Sequence, residues 1–158
     1  MSNIVFNYNI ELTWSIVKFI RDNVESLVHD QSEELAYACK MTTSELLENA
    51  VKYGSPISRE KGIEFSFILN QGEARITVAN GIIRQSDYDN VKHHIDGINA
   101  SGNPQELYIQ RLNTLLENPE LNKSQLGLYR IAYEGEFSLE YEYEDGSNVL
   151  TITATKTI

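Results

Sequence analysis

The spacing of hydrophobic positions changes several times along the chain, and each change marks an element. In IVFNYNI, Ile4, Phe6, Tyr8 and Ile10 alternate with other residues, the period-two pattern of a half-buried strand. From Leu12 to Val28 the spacing lengthens, and Leu12, Ile16, Phe19, Ile20, Val24 and Leu27 form one helical stripe. A second helix is predicted from about Ser32 to Tyr53, burying Leu35, Cys39, Leu46 and Ala50. Gly54, Ser55 and Pro56 end it, Gly as a left-handed cap and Pro by refusing to continue. Two strands follow across a turn at Gln71-Gly72. IEFSFIL puts Ile63, Phe65, Phe67 and Leu69 on one face, and ARITVAN puts Ala74, Ile76, Val78 and Asn80 on one face. The polar stretch from Ser86 to Asn122 predicts two helices broken at SGNP, and a short helix follows Gly127. A hairpin closes the chain: FSLEYEY presents Phe137, Leu139, Tyr141 and Tyr143, Asp145-Gly146 turns, and VLTITAT returns with Leu150, Ile152 and Ala154.

This order is not the strand–helix alternation of a doubly wound sheet. Grouped hairpins with helices on one face predict an α+β two-layer sandwich. At 158 residues, without repeats or a convincing linker, the chain is expected to form one domain over 1–158. A formal net charge of −10 argues against nucleic-acid binding and against docking on an anionic membrane. No run approaches a membrane span, and MSNIVFNYNIELT lacks the basic start and apolar core of a signal peptide. The single Cys39, without a disulfide partner, suits a reducing cytoplasm and a small buried hydrophobe.

The stretch TTSELLENAVKYGSP carries the candidate chemistry. On a helix, Glu45, Asn49 and Lys52 fall at i, i+4 and i+7 and share a face, with Leu46, Leu47, Ala50 and Val51 opposite. An amide offers a neutral oxygen to a hard cation such as Mg²⁺, an ammonium neutralises phosphate, and a carboxylate accepts a hydroxyl proton. Spacing alone equally describes a solvated face.

ELLENAVKYG resembles the N-box of the GHKL ATPase superfamily, which includes sensor histidine kinases, gyrase-type ATPases and anti-sigma-factor kinases. The resemblance implies that Asn49 holds the Mg²⁺ of bound ATP, with Glu45 as base and Lys52 as phosphate contact. In the family, a later hairpin ends in an Asp that binds adenine. ITVANG stands there in this chain, with Asn80 in the Asp position and Gly81 beside it, but NGIIRQ lacks the D-x-G-x-G glycines. An Asn oxygen still accepts that hydrogen bond. QLGLYRIAYEGEFSLEYEYEDGSNVLTITA resembles the second glycine box and closing hairpin. Gly127 and Leu128 take the phosphate-facing step, and Gln125 replaces a glycine.

The fold so implied is the Bergerat-type α/β sandwich, a mixed sheet covered on one face by helices. Segment 82–126 supplies paired helices in place of the ATP lid. That arrangement is similar to the SiaB-type kinase family, whose members pair with a small STAS-domain (anti-anti-sigma-like) protein and phosphorylate it on Ser or Thr. The expectation is therefore a cytoplasmic Mg·ATP-dependent Ser/Thr kinase of bacterial partner switching, with homodimerisation open. The alternative is a degenerate, non-catalytic module that binds and sequesters a regulatory partner.

Other features have simpler readings. His93 and His94 point about 100° apart on a helix, which disfavours shared metal binding and suits surface or partner contact. His29 suits the negative end of the first helix. The acidic EYEYED stretch is a strand with its glutamates outward, and neither a CxxC nor a Ser/His/Asp constellation occurs.

Overall fold

The computed structural model describes residues 4–11, 13–118 and 126–158. Strand β1 (Ile4–Ile10) leads into α1 (Trp14–Val28) and the long α2 (Glu33–Tyr53). A two-residue strand, β2 (Gly54–Ser55), precedes the hairpin β3 (Ile63–Leu69) and β4 (Glu73–Ile82). Helices α3 (Gln85–Ala100), α4 (Pro104–Glu117) and α5 (Leu126–Tyr133) come before the hairpin β5 (Ser138–Glu144) and β6 (Val149–Thr157).

The strands lie in the order β1-β3-β4-β6-β5, with β2 added beside β4. Every pairing among the described strands is antiparallel, so the sheet is not mixed. The reason is connectivity: β3 to β4 and β5 to β6 are tight hairpins, which join antiparallel neighbours. Side chains alternate across the sheet. Phe65, Phe67, Ile76, Val78, Leu139, Ile152 and Ala154 are buried and join the core with Ile20, Val24, Leu46 and Leu47 of the helices. On the other face, Ser66, Thr77, Thr153 and Glu140 lie side by side and are half-buried or exposed. The result is the two-layer α/β sandwich that the pattern predicts. No helix among the described residues is long and apolar enough to cross a membrane.

Local chemistry fixes the helix ends. The Ser32 side-chain oxygen accepts the Leu35 N–H at 2.9 Å and caps α2, while Asn103 caps α4 through the Glu106 N–H ahead of Pro104. That second cap separates α3 from α4 at the predicted break. The α1 stripe is rotated from its expected position. Val17, Ile20, Val24 and Val28 are buried, whereas Phe19 is exposed and meets the Tyr8 ring edge-on. Leu12 lies outside the described residues.

Gly54 differs more consequentially. It is extended, with φ −90° and ψ 174°, and is not a left-handed cap. A Cβ there would stand 2.5 Å from Asn80 Nδ2 and 2.6 Å from the Ala50 carbonyl oxygen, so close approach is what requires glycine. His94 also departs from expectation. It is buried under α5, with Nδ1 2.6 Å from the Tyr129 hydroxyl, while His93 stays exposed. Burial, reinforced by the charges of Arg111 and His93, lowers the His94 pKa to about 4. Burial likewise pushes the Cys39 thiol up to about 12, as suits a core position.

Phe67 sits fully buried at the sheet centre. Phe67→Ala should destabilise the protein by about 3–5 kcal/mol in urea unfolding, whereas Thr77→Ala on the open face should cost less than about 1 kcal/mol.

Candidate functional site

The second helix is packed on two sides. Leu46, Leu47 and Ala50 face the sheet and are buried, which turns Glu45, Glu48, Asn49 and Lys52 towards α5. Across from them stand Leu126, Gly127 and Arg130 of α5, and the two walls enclose a cavity of about 160 Å³. The spacing argument therefore holds: the carboxylate, the amide and the ammonium line one space, together with Gly127 of α5.

Glu45 is the most constrained of the group. Its side chain is 17% exposed, and Oε1 accepts a hydrogen bond from Arg130 Nη1 at 2.8 Å. Arg130 also donates through Nε to Glu134 Oε2 at 2.8 Å, an i,i+4 contact along α5. The other Glu45 oxygen lies against Gly127, where any Cβ would run into Oε2. Burial raises the Glu45 carboxyl above its ordinary range, while Arg130 works in the opposite direction. A carboxyl so balanced suits proton exchange.

Asn49 is 7% exposed, and its Nδ2 has no hydrogen-bond partner. A buried, unpaired amide is costly and points to a ligand that would satisfy it. Because a half-turn of the amide exchanges its oxygen and nitrogen, the group fits either a cation or a phosphate oxygen. Lys52 is exposed at the rim, with Nζ 5.9 Å from the centre of the Trp14 ring. Among the described residues no group of three His, Cys, Asp or Glu is placed to hold a metal ion. A Mg²⁺ here would take Asn49 and keep water and phosphate oxygens, the usual habit of that ion. The cavity fits a phosphoryl group and falls below the roughly 300 Å³ where pockets for larger ligands begin.

The remaining candidates separate from this group. Asn80 is buried, donates from Nδ2 to the Gly81 carbonyl at 2.8 Å, and packs against Gly54. Gly81 pairs with Ser55, and a Cβ on it would meet Ser55 Oγ at 2.5 Å and the Pro56 carbonyl at 2.6 Å. Neither lines the cavity. The Leu128 side chain is fully buried in the core. Gln125 lies outside the described residues.

Two features go beyond the sequence reading. One is Arg130, whose signal was its position three residues after Gly127, on the same face of α5. The other is a wider cleft of about 370 Å³ behind Glu45, lined by Arg21, Tyr37, Lys40, Met41 and Ser44. Glu45, Glu48 and Arg130 belong to both spaces and form the partition between them.

In overall structure the chain is similar to one chain of the crystal structure of the SiaB–SiaC complex from Pseudomonas aeruginosa, with a TM-score of 0.67 and 16% identity. The match covers 97% of this chain and 88% of that one, which establishes a shared fold over nearly its whole length. No protein-family model and no curated protein matches the sequence.

The contact at Gly127 is directly testable. Gly127→Ala should cost about 1–3 kcal/mol through overpacking against Glu45. Combining it with Glu45→Ala should cost less than the sum of the two single changes in urea unfolding.

Proposed function

We propose that this chain is a Mg·ATP-dependent Ser/Thr protein kinase of a bacterial partner-switching pair, with a small STAS-domain protein as its substrate. The observation that carries this reading is the buried, unpaired amide of Asn49, which shares a cavity with Glu45, Lys52 and Gly127. The likeness in fold to a chain from a two-protein complex supports the partner-switching part.

Within this reading Asn49 would hold the metal ion, Lys52 neutralises phosphate charge, and Gly127, in the first described turn of α5, faces the phosphate end. Bound Mg·ATP supplies the transferable phosphoryl group. Glu45 takes the proton of the acceptor hydroxyl, and its burial keeps water from competing for that position. Asn80 and Gly81 serve the fold at the corner between β2 and β4 and are not assigned to the nucleotide.

That last point favours a second reading, a non-catalytic module that binds and sequesters its partner. Asn80 spends its donor on a neighbouring carbonyl under β2, and Glu45 is already engaged by Arg130. Nucleotide dependence of partner binding separates the two readings.

Trp14, the single tryptophan, lies beside Lys52 and makes its emission a reporter of the site. Titration with Mg·ATP should change that emission saturably, and Asn49→Ala should abolish the change. Absence of binding by equilibrium dialysis at millimolar nucleotide would sink the kinase reading. If Asn49→Ala left partner affinity and its nucleotide dependence untouched, the sequestering module would replace it.

Glu45→Gln should retain Mg·ATP binding while slowing label transfer from ATP to the partner at least ~100-fold. Equal transfer by the variant would remove Glu45 from the chemistry.

A further inference from the structure

We infer that Arg130 is the positioning residue for Glu45, an assignment that rests on the kinase reading above. The guanidinium is fixed at two points. Nε is tied to Glu134 on its own helix, and Nη1 reaches across to Glu45 Oε1 on α2, each at 2.8 Å. A planar fork held at one end presents its other donor in a set direction, which a point-charge ammonium does not. With Oε1 so held, Oε2 is turned onto Gly127, the one residue type that leaves room for it. The carboxylate thus has one oxygen occupied and the other placed at the first described turn of α5.

The position has a use because the pair stands between two spaces. Asn49 and Lys52 line the small cavity on one side, and Tyr37, Lys40 and Ser44 line the wider cleft on the other. A base at that partition can take the proton of an acceptor hydroxyl that enters from the wider cleft and comes up to the phosphate end of the ligand, the role phosphoryl transfer asks of it. Glu45 Oε2 takes the hydroxyl proton while the acceptor oxygen bonds to the γ-phosphorus. The bond from that phosphorus to the β-phosphate oxygen breaks, and ADP leaves with the electron pair. Arg130 borders both spaces, but both of its side-chain hydrogen bonds go to carboxylates, so in this scheme it acts through Glu45. Its positive charge also opposes the effect of burial on the Glu45 carboxyl, which favours the ionised form a base requires.

The test uses the full chain as Arg130→Met, Arg130→Lys, Glu45→Gln and the Glu45→Gln/Arg130→Met pair. Three quantities are measured: thermal midpoint, Mg·ATP affinity from Trp14 emission, and transfer rate to the partner protein. Arg130→Met should slow transfer about 100-fold, the effect of a misplaced catalytic group, with a far smaller loss of nucleotide affinity. Arg130→Lys should recover part of the rate, and the double variant should be no slower than Glu45→Gln alone. In the unliganded protein, the two substitutions should also be non-additive in their thermal midpoints.

Should Arg130→Met fail to fold, Glu134→Gln loosens the same fork from outside the cavity and should give a smaller loss of rate without loss of affinity. Rate losses that multiply in the double variant would show Arg130 acting independently of Glu45. A fall in affinity equal to the fall in rate would make Arg130 a ligand contact. Either result overturns the assignment, as does an unchanged rate in Arg130→Met. Wild-type protein that neither binds Mg·ATP nor transfers phosphate would remove the kinase reading itself, and the assignment with it.

Discussion

The close approach of α2 to α5 at Gly127 is the constraint on which the site depends. Glu45 sits where the Cβ of any other residue at position 127 would be, so the two helices meet with a carboxylate between them. That carboxylate has lost most of its water and needs a fixed counter-charge, which Arg130 provides from the next turn of α5. The opposite side of α2 is committed to the sheet through Leu46, Leu47 and Ala50. A helix gripped on both flanks cannot roll, and the direction of Asn49 and Lys52 follows from that grip.

The layers divide the work accordingly. The sheet and α1 supply apolar mass: Phe65, Phe67, Ile76 and Val78 share one buried cluster with Ile20 and Val24. Helix α3 joins the core through Val91, Ile95 and Ile98, with Tyr88 stacked on Tyr143 at 4.0 Å and His94 edge-on to Tyr129, and α4 meets α5 through Tyr108 and Tyr133. The candidate site lies in the seam between α2 and α5.

Much of this was legible in the sequence because period and turn chemistry act locally. Alternation fixed the faces of β3, β4 and β6, and the Glu45–Asn49–Lys52 spacing placed all three on one side of a helix. What was not legible depended on contacts distant in sequence. Phe19 is out of the core because Tyr8 meets it at the sheet edge. His94 is in the core because Tyr129, 35 residues later, covers it. Asn80 matches the expected adenine position in order along the chain, yet β2 folds over it, and no local pattern in ITVANG announces that. The Arg130 contact joins residues 85 apart, which no helical periodicity can reveal.

The corner at Asn80 limits which exchanges the chain can accept there. Asn80 donates to the Gly81 carbonyl, and its side chain fills the space above Gly54 beside the Ala50 carbonyl. An aspartate at position 80 has no donor to offer, and its charge would lie against carbonyl oxygens in a site closed to water. Exchanging Asn80 alone for aspartate is therefore unfavourable while Gly54 and Ser55 run as a strand beside β4. The amide, the two glycines and the short strand form one interlocked unit. A change at this corner has to be a coupled one, because each of its members occupies space that the others define.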